Sequence, residues 1–456
     1  MPAQVGTGRK EWTASSLGAA ANRALETAQD LAWRLAEPSL VERAAEQARR
    51  DSAHPRVTNW RPYTVAQGYA GLALLCAQLD KCFPNEGWDG VGREHLTSAA
   101  REAEKHKLLP LGLFSGLAGV AFAAWELSRE GSRYGRLLHT LDETLLARVT
   151  RAAGYLRGAA VVSVSQFDVI SGLSGVGAYL LTQISGTRHA ACLREVLSAL
   201  VELLAPRTGL PLWYTPPEEL YDDRARAVYP FGNLNCGLAH GVPGPLALLS
   251  IAYAKGVRVN GMETAIARTA EWLCAARWDD EWGINWPTAI AVQPGSNGAL
   301  AAVERRPGSD GPSRCAWCYG APGVARALWL AGEALDCAGY RDIGIEAMRA
   351  VFRRPVHVRR IDSPSFCHGV AGLLEIALRF RNDSEDQVFE EGCRELVEQI
   401  LRRYQPQSLL GFRHIENGAH EIDQPGLLDG TPGIALVLLA SSTPVTPDWD
   451  RLFLLS

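Results

Sequence analysis

Lysine is scarce in these 456 residues, five against 41 arginines, a skew that reflects GC-rich coding more than function. Surplus charge is scarce as well. The 46 basic and 50 acidic side chains leave a formal charge of -4 and a pI near 6.2, which removes the general electrostatic drive toward nucleic acid. The opening residues Met1-Pro2-Ala3-Gln4-Val5 lack a basic segment followed by an apolar one, so no export signal is read and the expected location is the cytoplasm. An uninterrupted membrane-spanning run is also missing. Val228 to Ala254 carries no Asp, Glu, Lys or Arg, yet Asn233, Asn235, His240, Pro243 and Pro245 break it, as suits a turn leading into a buried helix.

What is present argues for a large folded core: 47% of residues are apolar, only 21% are charged, and thirteen are Trp. At ~150 residues per domain the length suggests two or three domains, unless repeats let one core grow around a ring. Ten cysteines in a cytoplasmic chain point to buried thiols, metal ligands or catalytic groups more than to a disulfide framework. Cys76, Cys192, Cys274, Cys337 and Cys393 fall in helical segments and are expected to pack as small apolar residues.

Repeats are the dominant signal. A Gly, two or three residues, a second Gly and an apolar helical run recur seven times, in GYAGLALLCAQL, SGLAGVAFAAWEL, SGLSGVGAYLLTQI, HGVPGPLALLSIAYA, YGAPGVARALWLAGEAL, HGVAGLLEIALRF and DGTPGIALVLLAS. The second glycines are Gly71, Gly119, Gly175, Gly244, Gly323, Gly372 and Gly433, at intervals of 48 to 79 residues, room for a helix pair and a variable connection. Each apolar run lacks a polar face and so belongs to an inner layer. Amphipathic segments between them, such as Tyr134 to Tyr155, would form an outer layer. The expected fold is an all-α, α/α toroid filling residues 1–456 as one domain, its Gly turns clustered at one end. A helical lead is expected over about 1–55, and a small β-rich excursion over about 278–314, where Trp, Ile, Thr and Val alternate with turn residues.

Three turns carry chemically active residues: NCGLAHGVPG with His240, RCAWCYGAPG with Cys318, and SFCHGVAG with Cys367 and His368. On a shared rim these converge, and two thiolates with an imidazole make a zinc site whose open fourth position suits catalysis. A helix start also favours thiolate at Cys318 and Cys367. Cys315 keeps an alternative open, since Cys315-Ala-Trp-Cys318 has the spacing of a structural metal pair or a redox pair; with all four residues ligating, the site would be closed.

GLAHGVPG, RCAWCYGAPG and FCHGVAG, with FDVISGLSG at 167–175, resemble the lanthionine synthetase C-like proteins, the peptide cyclases of lanthipeptide biosynthesis. The motifs occur in the family's order, and the repeats span about Gly68 to Ser441. The resemblance implies a toroid of seven inner and seven outer helices holding one Zn2+ per chain, with Cys318, Cys367 and His368 as ligands and Cys315 a neighbour only. It implies catalytic roles for Asp168, His240, Arg314 and Tyr319. Taken alone, Asp168 would be a helix cap, His240 a satisfied core histidine, and Arg314 and Tyr319 ordinary packing or pairing.

The implied reaction is zinc-dependent Michael addition of a cysteine thiol of a dehydrated precursor peptide to dehydroalanine or dehydrobutyrine, giving lanthionine or methyllanthionine. No dehydratase module is evident, so a separate dehydratase and a peptide exporter, in a membrane-associated complex, are the partners implied. Competing readings are addition of glutathione to dehydrated residues, thiol alkylation as in the protein prenyltransferase β subunits, and a zinc-stabilised peptide-binding scaffold without turnover.

Overall fold

The glycine pairs explain the architecture. In a computed structural model of the chain, which describes residues 11–54, 60–220, 222–295, 298–303, 313–416 and 420–456, each repeat turn opens directly into a buried helix. These inner helices are Tyr69–Cys82, Leu117–Leu127, Leu173–Thr182, Pro243–Ala254, Ala321–Leu335, Val370–Ser384 and Thr431–Ser442. The second glycine of every turn lies against the carbonyl of the residue six before it: a Cβ there would stand 2.0 Å from that oxygen at Gly175 and Gly372, and no more than 2.9 Å anywhere in the series. Real side chains never come so close, so glycine is required by contact with the turn itself.

Outer helices follow the first six inner ones: Trp88–Glu104, Gly135–Gly158, Thr187–Leu203, Met262–Ala276, Ala338–Arg353 and Gln387–Leu401. Their apolar residues recur on one face, as Leu138, Leu141, Leu145, Val149, Ala153 and Leu156 do in the longest. The last inner helix has no such successor. Ala20–Ala36, near the beginning of the chain, packs on Thr431–Ser442 and serves as the seventh outer helix. The expected helical lead is therefore the piece that completes the outer layer; residues 1–10 and 55 of that lead lie outside the described residues.

The turns close on one another in a circle of backbone hydrogen bonds. Ala66 N–H donates to Phe114 (3.0 Å), Phe114 to Ile170 (3.1 Å), Val169 to Ala239 (3.0 Å), Ala239 to Cys318 (3.4 Å), Cys318 to Cys367 (3.2 Å), Cys367 to Leu428 (2.9 Å), and Leu428 back to Ala66 (3.2 Å). Each of the seven turns thus donates to the next and accepts from the one before. Inside the circle, the segment Asp448–Ser456 fills the axis. The Phe453 ring packs on Phe114 (5.4 Å between centroids), Trp317 (5.0 Å) and Phe366 (3.7 Å), contributed by the second, fifth and sixth turns. Trp317 Nε1–H donates to the Phe453 carbonyl at 3.1 Å, and Arg379 pairs with buried Asp450.

The β-rich excursion is small. Trp278–Asp280 pairs with Gly283–Asn285, and Ala289–Pro294 lies between Asn233–Asn235 and Leu300–Ala302, all antiparallel. Strand Asn233–Asn235 comes from the charge-free stretch ahead of the fourth inner helix and adds to the expected excursion; residues 296–297 and 304–312 of that excursion lie outside the described ones. A further hairpin joins His414–Ile415 to Glu421–Ile422. All ten cysteines are free, with Cys76, Cys192 and Cys393 buried and Cys274 and Cys337 half-buried in the helical layers. Among the described residues no helix is long and apolar enough to cross a membrane.

Candidate active site

Counting back from the second glycine puts functional residues in register. Four positions before it stand Gln67, Ser115, Ser171, His240, Tyr319, His368 and Asp429, one from each turn. Five positions before it, where the other units carry apolar side chains, the fifth and sixth carry Cys318 and Cys367. Since the turns are bonded edge to edge, these two rows are neighbouring rings on one rim of the toroid.

One part of this rim is a sulfur and imidazole cluster. Cys318 N–H donates to the Cys367 carbonyl at 3.2 Å, which makes the two cysteines neighbours, and the donor atoms of Cys367, His368 and Asp429 all lie within 4.8 Å of one another. His368 Nδ1 is 3.4 Å from Asp429 Oδ1, and the His414 ring meets that of His368 edge-on at 5.3 Å. The neighbouring Cys318 thiol and burial together push the Cys367 thiol well above its ordinary pKa, while the nearby Arg314 guanidinium pulls the other way. Two adjacent buried sulfurs resist becoming anions together, unless a cation shares the site. Burial, then Arg314, hold His368 down to about 4, keeping its imidazole neutral as a ligand must be.

These observations fit a zinc ion. Two sulfurs and a neutral imidazole are donors that zinc prefers, and Asp429 Oδ1 is buried beside them without a hydrogen-bond partner. Cys315 has a different set of charged neighbours. Its thiol is fully buried, burial pushes it up to about 11, and its charged neighbours are Arg354, Arg359 and Asp280.

The adjoining turns supply a carboxylate–imidazole pair. His240 Nδ1 meets Asp168 Oδ2 at 2.6 Å, while Asp168 Oδ1 accepts the Ser171 and Gly172 N–H groups at 2.8 Å each. One carboxylate oxygen therefore holds its own turn and the other holds the imidazole. Asp168 is 2% exposed, whereas the His240 side chain is 39% exposed, so the ring is anchored at its base and open at its outer edge. Tyr319 stands beside the pair: its ring is 6.4 Å from that of His240, its hydroxyl accepts from Asn235 Nδ2 at 3.3 Å, and it follows Cys318 in the chain. Arg314 sits on the sulfur side, where its charge acts on both Cys367 and His368.

All seven residues singled out from the sequence thus belong to the rim or border it. Two neighbours were missed. Asp429 had a usable signal, because it stands in the register of His240 and His368; His414 arrives on a short hairpin with no repeat to mark it.

An α/α toroid with paired thiols, imidazoles and a carboxylate on its glycine rim defines a small class of proteins. The chain matches the Lanthionine synthetase C-like protein family over residues 59–454 and belongs to that family. It is 26% identical over 354 residues to nisin biosynthesis protein NisC of Lactococcus lactis subsp. lactis, an alignment covering 76% of this chain and 82% of that one. It is also similar to the solved structure of nisin cyclase, with a TM-score of 0.73 and 25% identity over 91% of this chain and 97% of that chain.

Proposed function

We propose that this protein closes thioether rings in a dehydrated precursor peptide by intramolecular Michael addition. The observation that supports the reading is that the turns bearing the Asp168–His240 pair, Cys318, and the Cys367–His368 pair are hydrogen-bonded in series, with the Tyr319 ring 6.4 Å from that of His240. Family membership and the likeness to nisin cyclase support it. Cys318, Cys367 and His368 would hold zinc. When bound there, the ion supplies the lowered thiol pKa that delivers the substrate sulfur as thiolate.

The protein's own groups handle the electrons and the proton. As the S–Cβ bond forms, the π electrons of the dehydro residue move onto the α carbon and its amide oxygen, and a proton must then reach that carbon. His240 suits the task, because Nδ1 is committed to Asp168 and leaves Nε2 at the open edge to carry the proton. Asp168 fixes the ring and steadies its charged form. Arg314 offers positive charge toward the developing oxyanion, and Tyr319 shapes the wall between sulfur and proton source. The product is an isomer of its substrate. The dehydrated residues must come from a separate dehydrating activity, with a peptide exporter as the onward partner.

The test uses a dehydrated peptide carrying its own cysteine, with loss of free thiol as the readout because mass does not change. His240→Ala should slow ring closure by about 10²- to 10⁴-fold while zinc content stays at one per chain. Closure at the normal rate rejects the proton-transfer role. Transfer of glutathione in place of ring closure would reject the intramolecular assignment.

A further inference from the structure

We propose that Asp429 is the fourth zinc donor of this protein, a resident carboxylate that completes the shell of Cys318, Cys367 and His368 until a substrate sulfur takes its place. The proposal rests on the zinc reading above and adds to it a residue from the seventh turn.

Three observations carry it. First, Asp429 Oδ1 is buried and has no hydrogen-bond partner, although it lies 3.4 Å from His368 Nδ1. A carboxylate placed there to orient the imidazole would accept an aligned bond near 2.8 Å, as Asp168 does from His240 at 2.6 Å. Oxygen and nitrogen donors each about 2.0–2.1 Å from a tetrahedral ion stand roughly 3.3 Å apart, which is the spacing found. Second, the donor atoms of Cys367, His368 and Asp429 lie within 4.8 Å of one another, and the Cys318 N–H bond to the Cys367 carbonyl, 3.2 Å, sets the turn that carries Cys318 beside theirs. Third, Asp429 occupies in its turn the position that His368 occupies in the preceding one. The Cys367 N–H bond to Leu428 O, 2.9 Å, sets the two turns side by side. An oxygen donor is also the replaceable one. Zinc binds thiolate sulfur firmly, so a carboxylate among two sulfurs and an imidazole is the ligand an arriving thiol would displace.

Zinc affinity by competition with a chromophoric chelator, and the visible and near-ultraviolet spectrum of the Co2+-substituted protein, test this without reference to turnover. Asp429→Ala should hold zinc at least about tenfold more weakly. Asp429→Cys should add a third sulfur, raising sulfur-to-cobalt charge-transfer absorption by roughly half over the two-thiolate wild type. Asp429→Asn, which retains an acceptor for His368, should resemble the alanine variant in affinity. Wild-type affinity in the alanine variant, or an unchanged spectrum in a folded cysteine variant, overturns the assignment while leaving the zinc reading intact. A wild-type protein that takes up neither zinc nor Co2+ overturns both.

Discussion

Asp168 shows how much one side chain does on this rim. Its two oxygens have separate partners, one the Ser171 and Gly172 N–H groups and one His240, so one half of the carboxylate holds the turn while the proposed catalytic role rests on the other. A substitution can separate them. Asp168→Asn keeps an oxygen for the turn but presents an NH2 to His240 Nδ1, which must then accept, so the ring can no longer hold a proton on both nitrogens and loses the acidic form needed to give one up from Nε2. Ring closure should fall by about 10²- to 10⁴-fold while the melting temperature stays within a few degrees of wild type; equal loss of both would mean that the carboxylate is structural. The rim positions of Cys318, Cys367, His368 and His240 were legible because each stands within two residues of a repeat glycine. Asp429 had the same signal, but an Asp before Gly-Thr-Pro-Gly also reads as an ordinary helix start. His414 was illegible, since only the folded hairpin brings it to His368.

Among the elements, the inner helices were readable from their uniform apolarity and the outer ones from their single apolar face. The glycines divide the same way when their surroundings are compared. Gly175 has Val169 O where a Cβ would go, at 2.0 Å, whereas Gly154 in the outer helix Gly135–Gly158 has open space. Gly175→Ala should cost at least about 2 kcal/mol, because backbone must move to make room. Gly154→Ala should stabilise by about 0.5–1 kcal/mol through the unfolded chain. Denaturant unfolding of the two variants measures both, and the opposite ranking would mean that the repeat glycines serve flexibility instead of close contact. Strand Asn233–Asn235 escaped the sequence reading: three residues are too few for periodicity, and its partner Ala289–Pro294 lies more than fifty residues away.

At the scale of the whole molecule, the least legible feature is the origin of the seventh outer helix. Periodicity identifies Ala20–Ala36 as an amphipathic helix, with Ala24, Ala28, Leu31 and Leu35 on its buried side, but cannot say that its partner is the inner helix some four hundred residues later. Trp12 reports the same closure, its indole N–H donating to the Ala440 carbonyl at 3.0 Å. Removing residues 1–37 should therefore uncover the last inner helix, giving dye binding to exposed apolar surface and a broadened, lower thermal transition. A truncated protein with the wild-type transition would show that the remaining helices close the structure unaided. Stacked repeat arrays fray from their outermost members, which have a neighbour on one side only. A bracelet has no outermost member: each link is clasped on both sides, so the place where Cys318, Cys367 and His368 gather is also the place where the protein has the least freedom to drift apart.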